Sequence, residues 1–171
     1  GLGGLVSANI LARHGYAVCV LEKNRQFGGN LQTFVRDANI FDTGVHYVGG
    51  LGDGEILNQY FRYLGIMEHL NIQKLDPLQF DIISFGDHPE SFRYAQGHRN
   101  FEASLNKQFP DEHTAISDYC NKIKEFCSKF PLYNLSAEDR SYTDADLSIN
   151  LKEYLDSISD NELLKAVLVG Y

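Results

Sequence analysis

Three observations predict an α/β fold. A glycine turn, Gly1-Leu2-Gly3-Gly4, runs straight into helical spacing. A short apolar run, Ala17-Val18-Cys19-Val20-Leu21, follows and ends on Glu22. Beyond residue 50 the pattern changes to a hairpin and then to helices. The first two features form the back half of a Rossmann-like βαβ unit. Its glycines let the backbone approach a pyrophosphate, its helix N-terminus faces that group, and an acid about 20 positions on can hold the ribose hydroxyls. The first strand and a first glycine, two residues before Gly1, are missing, so the chain reads as an N-terminal fragment of something longer. The expected division is a partial dinucleotide-binding segment over 1–50 and an α+β, mostly helical cap over 51–171.

Each element has its own signal. Residues 2–14 read as a helix: Leu2, Leu5, Val6, Ile10 and Leu11 are apolar, Arg13 and His14 fall in the last turn, and Gly15 suits the position after it. Residues 17–21 are continuous and partly β-branched, as in a strand covered on both faces. Residues 25–50 are punctuated by glycine, with Asp37-Ala38-Asn39 placed to turn a hairpin. Ile56, Leu57, Tyr60, Phe61 and Leu64 return to one helical stripe, ended by Gly65. A second hairpin is expected from Leu78, Phe80 and Ile82 alternating with Gln79, Asp81 and Ile83, through the turn Gly86-Asp87-His88-Pro89, to residues 91–95. From about residue 100 the spacing is helical, with Ile116, Tyr119, Cys120, Ile123, Cys127 and Phe130 on one stripe, and Leu151, Tyr154, Leu155 and Ile158 on another. Ser159 and Glu162 have the spacing of a capping box for a last helix. Residues 131–147 read as a polar loop.

Composition narrows the function classes. A chain of 171 residues with 43% hydrophobic content can build a globular core. A net charge of −8 argues against non-specific nucleic-acid binding, which basic residues carry. No apolar stretch approaches the roughly 20 residues of a membrane span. Cys19, Cys120 and Cys127 lack C-x-x-C spacing and read as buried free thiols in a reducing, cytoplasmic setting. The six histidines show no metal-ligand spacing, so no metal is expected.

The chemistry concentrates near the N-terminus. Gly1, Gly3 and Gly4 can cradle a pyrophosphate, or simply turn the chain before a helix. Glu22 ends the apolar run, where a carboxylate can accept both ribose hydroxyls and repel a 2′-phosphate; NADP is therefore not expected. Gly28 and Gly29 offer a second close backbone approach, and Arg25 can pair with a phosphate.

The pattern Glu22-x-x-Arg25-x-x-Gly28-Gly29-Asn30 followed by Thr33 resembles flavoproteins of the amine oxidase and phytoene desaturase superfamily. Residues 41–50, Phe41-Asp42-Thr43-Gly44-Val45-His46-Tyr47-Val48-Gly49-Gly50, resemble the carotenoid isomerase, phytoene desaturase and retinol saturase group within it. The resemblance is carried by residues 1–50. From 51 to 171 only Gln108-Phe109-Pro110 and Glu153-Tyr154-Leu155 add to it, with little specificity.

The resemblance implies FAD as cofactor, with the pyrophosphate at Gly1, Gly3 and Gly4 and the adenosine ribose at Glu22. Lys23, Arg25, Gly28, Gly29 and Asn30 would lie on the phosphate and ribityl side, and Thr43, Gly44 and His46 near the isoalloxazine. His46 could shuttle protons beside the flavin or simply bond nearby backbone. The implied activity is oxidation, saturation or isomerisation at carbon–carbon bonds of a polyene or other long apolar substrate. Peripheral membrane contact would suit such a substrate, although no basic amphipathic helix supports it. Two alternatives stay open: an amine-oxidase-like flavoenzyme, and a non-catalytic nucleotide-binding remnant. No catalytic residue, substrate, redox direction or oligomeric state follows from the sequence. A fragment lacking the first strand is expected to bind FAD poorly and to be inactive alone.

Overall fold

The computed structural model describes residues 1–170 except 46, 87, 131, 132, 134 and 136–141. The chain forms two compact units, Gly1–Asn71 and Ile72–Tyr171. The division expected at residue 50 falls instead at 71. The reason is that the second helix of the first unit packs back on the first helix rather than opening the cap.

In the first unit, α1 spans Leu2–Arg13 with Gly1 as its N-cap. Gly15 follows at φ +85°, a conformation that glycine adopts without a Cβ penalty. None of the α1 residues is buried. The strand expected over 17–21 does not form: those residues pair with no other strand among the described residues, and Val20 and Leu21 stand 53% and 90% exposed. A strand exists only through a neighbour that takes up its N–H and C=O groups, and no described segment plays that part.

β1 (Thr33–Arg36) and β2 (Asn39–Asp42) pair antiparallel, with Arg36 opposite Asn39. The loop is therefore the two residues Asp37 and Ala38, at φ +48° and +61°, the backbone of a tight primed turn. Phe34 and Phe41 stack across the pair at 5.3 Å. α2 (Ile56–Leu64) ends at Gly65 in the left-handed region. Arg13 reaches from α1 to α2, lying over the Tyr63 ring and donating to the Tyr63 carbonyl. Asn58 is the buried polar residue here: its amide donates to the Leu51 carbonyl and accepts from Arg62 Nε at 2.8 Å.

The second unit contains the apolar core. β3 (Asp81–Ser84) pairs antiparallel with β4 (Ser91–Tyr94), placing Ile83 opposite Phe92 and Asp81 opposite Tyr94. Ile83, Phe92 and Tyr94 face inward, whereas Ile82 is 53% exposed. Asp87, within the expected turn, lies outside the described residues. α3 (His98–Gln108) and α4 (His113–Lys129) pack with α6 (Leu151–Ile158) and α7 (Glu162–Val169) around Leu105, Ile116, Cys120, Leu155, Leu164 and Val167, each at most 2% exposed. Burial pushes the Cys120 thiol up to about 11, so it is a neutral core group.

Two details differ from expectation. The N-cap of α7 is Asn161, whose Oδ1 accepts from the Leu163 and Leu164 N–H groups; the Ser159 hydroxyl instead donates to Glu112 at 2.8 Å. An extra single-turn helix, α5 (Asp144–Leu147), stands inside the expected loop over 131–147, started by a capping box between Thr143 and Asp146. That box puts a carboxylate at N3 and leaves too short a run to show helical periodicity.

Candidate dinucleotide site

As in any helix, the first N–H groups of α1 have no intrahelical partners; the first intrahelical bond is Leu5 N–H to the Gly1 carbonyl at 3.2 Å. A Cβ at Gly1, Gly3 or Gly4 would meet nothing within 4 Å. The helix end is thus bare backbone beside open space. Its dipole and its free donors suit an anionic group, and missing side chains would let that group come close.

The second glycine pair lies against the first. Gly28 sits at φ +111° and Gly29 at φ +62°, and a Cβ on Gly29 would come 2.9 Å from Gly1 Cα. Gly29 starts a single 3-10 turn through Leu31. Thr43 then ties the end of β2 back to that turn: its hydroxyl donates to the Gln32 carbonyl at 2.7 Å and lies 3.1 Å from the Asn30 carbonyl. Gly44 packs on Asn30, where a Cβ would sit 3.3 Å from the carbonyl oxygen. Residues 1, 28–30 and 43–44, distant in sequence, meet at one end of α1.

Glu22 comes to the same place. Its carboxylate lies 4.0 Å from the Gly1 nitrogen and accepts the Asn24 N–H at 3.0 Å. That backbone bond holds its pKa below the ordinary carboxylate value. The side chain is therefore a charged acceptor at neutral pH. Lys23 and Arg25 are exposed on the following segment. His46 lies outside the described residues.

Sequence reasoning missed two glutamines. Gln32 Nε2 donates to the Gln26 carbonyl at 2.9 Å, and Gln26 Nε2 donates to the Thr33 carbonyl at 3.2 Å. These two side-chain-to-backbone bonds clamp the loop that carries Gly28 and Gly29. Glutamine spacing alone carries no recognised signal for such a clamp.

Known proteins resemble this chain in sequence. Residues 1–64 match the NAD(P)-binding Rossmann-like domain family. An all-trans-retinol 13,14-reductase of Danio rerio is 36% identical over 132 residues, covering 73% of this chain and 21% of that protein. A second Danio rerio protein, named inactive all-trans-retinol 13,14-reductase, is 32% identical over 129 residues, covering 75% and 21%. A carotenoid 3,4-desaturase of Haloarcula japonica is 28% identical over 153 residues, covering 86% and 30%. Alignments of that length run well past residue 50, so the likeness extends into the helical unit. The chain spans about a fifth of the length of the retinol reductases it matches. No solved structure matches.

Proposed function

We propose that this chain, a relative of the retinol 13,14-reductases and carotenoid desaturases, carries the adenosine and pyrophosphate end of the FAD site of an oxidoreductase acting on carbon–carbon bonds of a polyene or other long apolar molecule. One observation carries this reading: Glu22, the bare N-terminus of α1 and the Gly28-Gly29 turn converge, with Gly29 against Gly1.

The residues fit the group. The face over Gly1, Gly3 and Gly4 is open and free of side chains, and it presents N–H donors to a pyrophosphate. Glu22, held charged, would accept the ribose hydroxyls and repel a 2′-phosphate. Lys23 and Arg25 would balance phosphate charge, Gly28, Gly29 and Asn30 would line the ribityl side, and Thr43 and Gly44 would lie toward the ring system. Bound flavin would supply hydride or electron transfer; the protein supplies binding, orientation and exclusion of water.

The chain by itself is proposed to hold FAD weakly and to be inactive. Among the described residues, residues 17–21 have no partner strand to fix Glu22 beside the glycines, so binding would have to order them. Titration of the chain with FAD, followed by flavin fluorescence, tests the nucleotide reading. Weak saturable binding is expected, lowered about tenfold in Glu22→Ala, a change of about 1.4 kcal/mol. Binding of NADP in preference to FAD would refute it.

A further inference from the structure

Asn58 on α2 is only 3% exposed, the buried polar residue of the described chain. An amide inside a packed unit costs free energy unless its donors and acceptor are matched, and an apolar side chain would fill the space without that demand. Its bonds show what the amide does. The Asn58 N–H donates to the Gly50 carbonyl at 3.0 Å, and Nδ2 donates to the Leu51 carbonyl at 2.9 Å. One turn further along α2, Arg62 Nε donates to Oδ1 at 2.8 Å. A side-chain amide has a single acceptor end, so the Arg62 bond sets which way round it sits and turns Nδ2 to the loop. We propose that Asn58 is a positioning residue of the flavin site, holding the glycine loop over 49–52 in the shape that receives the ring end of FAD. This assignment rests on the flavin reading above.

The loop is mostly bare backbone. Gly50 is at φ +76°, where a Cβ is strained, and that Cβ would lie 3.6 Å from Leu57. A Cβ at Gly49 would meet nothing within 4 Å. Asn58 takes the carbonyls of two successive residues, Gly50 and Leu51, while their N–H groups have no acceptor among the described residues. Such donors suit the carbonyl and nitrogen edge of a flavin ring, through which a protein tunes the cofactor.

Further ties hold the rest of the loop to α2. Glu55 accepts the Gly52 N–H at 2.7 Å, Gln59 Nε2 donates to the Gly54 carbonyl at 2.8 Å, and Arg62 lies 3.9 Å from Asp53. Thr43 and Gly44 are fixed to Asn30, beside the Gly28-Gly29 turn. Gly50 lies six residues beyond Gly44, a reach of at most about 20 Å. Arg13 joins α1 to α2, so Asn58 belongs to the same compact unit as the nucleotide end.

The test uses the native protein that contains this sequence, freed of cofactor, and compares FAD with ADP. ADP carries only the adenosine and diphosphate groups assigned to Glu22 and the α1 glycines. FAD is followed by flavin fluorescence and ADP by calorimetry. Asn58→Asp keeps the side chain's size and the acceptor for Arg62 but removes the donor to Leu51. It should weaken FAD about tenfold, leave ADP within about twofold, and shift the visible band of the bound flavin. Arg62→Gln, at a 55% exposed side chain, should weaken FAD about threefold with ADP unchanged, and it decides the matter if Asn58→Asp does not fold. A merely structural role would lower both ligands together. Unchanged FAD affinity, or equal losses for FAD and ADP, would overturn the assignment and leave the flavin reading standing. If the unsubstituted protein takes up no FAD, the flavin reading fails and this assignment falls with it.

Discussion

Gly29 and Gly3 separate what the fold needs from what the nucleotide needs. Gly29 is at φ +62°, and its Cβ would press on Gly1. Gly29→Ala should therefore destabilise the first unit by about 1–3 kcal/mol, read as a lower thermal midpoint, and should also lower FAD affinity. Gly3 stands in α1 with nothing near its missing Cβ. Gly3→Ala should raise helix stability by up to about 1 kcal/mol, yet weaken FAD about tenfold. If both variants move stability and affinity together, the open face over α1 is not the phosphate cradle. The residue types at the site were readable in the sequence because glycine and an acid at that spacing have few other uses. The contact between Gly29 and Gly1, and the Gln26–Gln32 clamp, were not, since each depends on where a loop returns in space.

Local elements were the most legible level. α1, α2, both hairpins and the long helices follow from apolar spacing and glycine punctuation, which act over a few residues. Where an outcome depended on a distant partner, the sequence misled: Ala17 to Leu21 has strand composition but no partner strand among the described residues, so Cys19, expected to be buried, is exposed, and Ile82 faces out while Ile83 faces in. The start of α7 is a finer case. Asn161→Ala should cost about 1 kcal/mol in thermal or denaturant unfolding, because it removes the acceptor for two N–H groups, while Glu162→Ala should cost much less. The α5 turn makes a pH prediction. Lys129, and then the Thr143 N–H and hydroxyl, bring Asp146 down from 3.8 to about 2. Lys152 and Lys165 do the same for Asp156. A carboxylate with a depressed folded value stabilises above the unfolded value, so both contributions should be full above about pH 4 and vanish as pH falls through about 2. Carboxyl titration by NMR checks this: an ordinary value for Asp146 would mean that α5 is not anchored through Lys129.

At the scale of the whole molecule, the two units differ in how they are stabilised. The second has a core of fully buried apolar side chains from β4, α3, α4, α6 and α7. The first is held by the Arg13 contact to α2, the Asn58 bonds and the turn around Gly29, while Leu2, Leu21, Phe27, Val35 and Ile40 remain exposed. Among the described residues, no helix is long and apolar enough to cross a membrane. The sequence also carried the family likeness in its first 50 residues, and the relatives extend it into the helical unit. The central claim, that the end of α1 is the nucleotide end of a flavin site, is tested most directly by acid release and identification of the cofactor carried by the native protein that contains this sequence. FAD at about one per chain is the predicted result. Release of NAD or NADP instead, or of no nucleotide even after incubation with FAD, would contradict it.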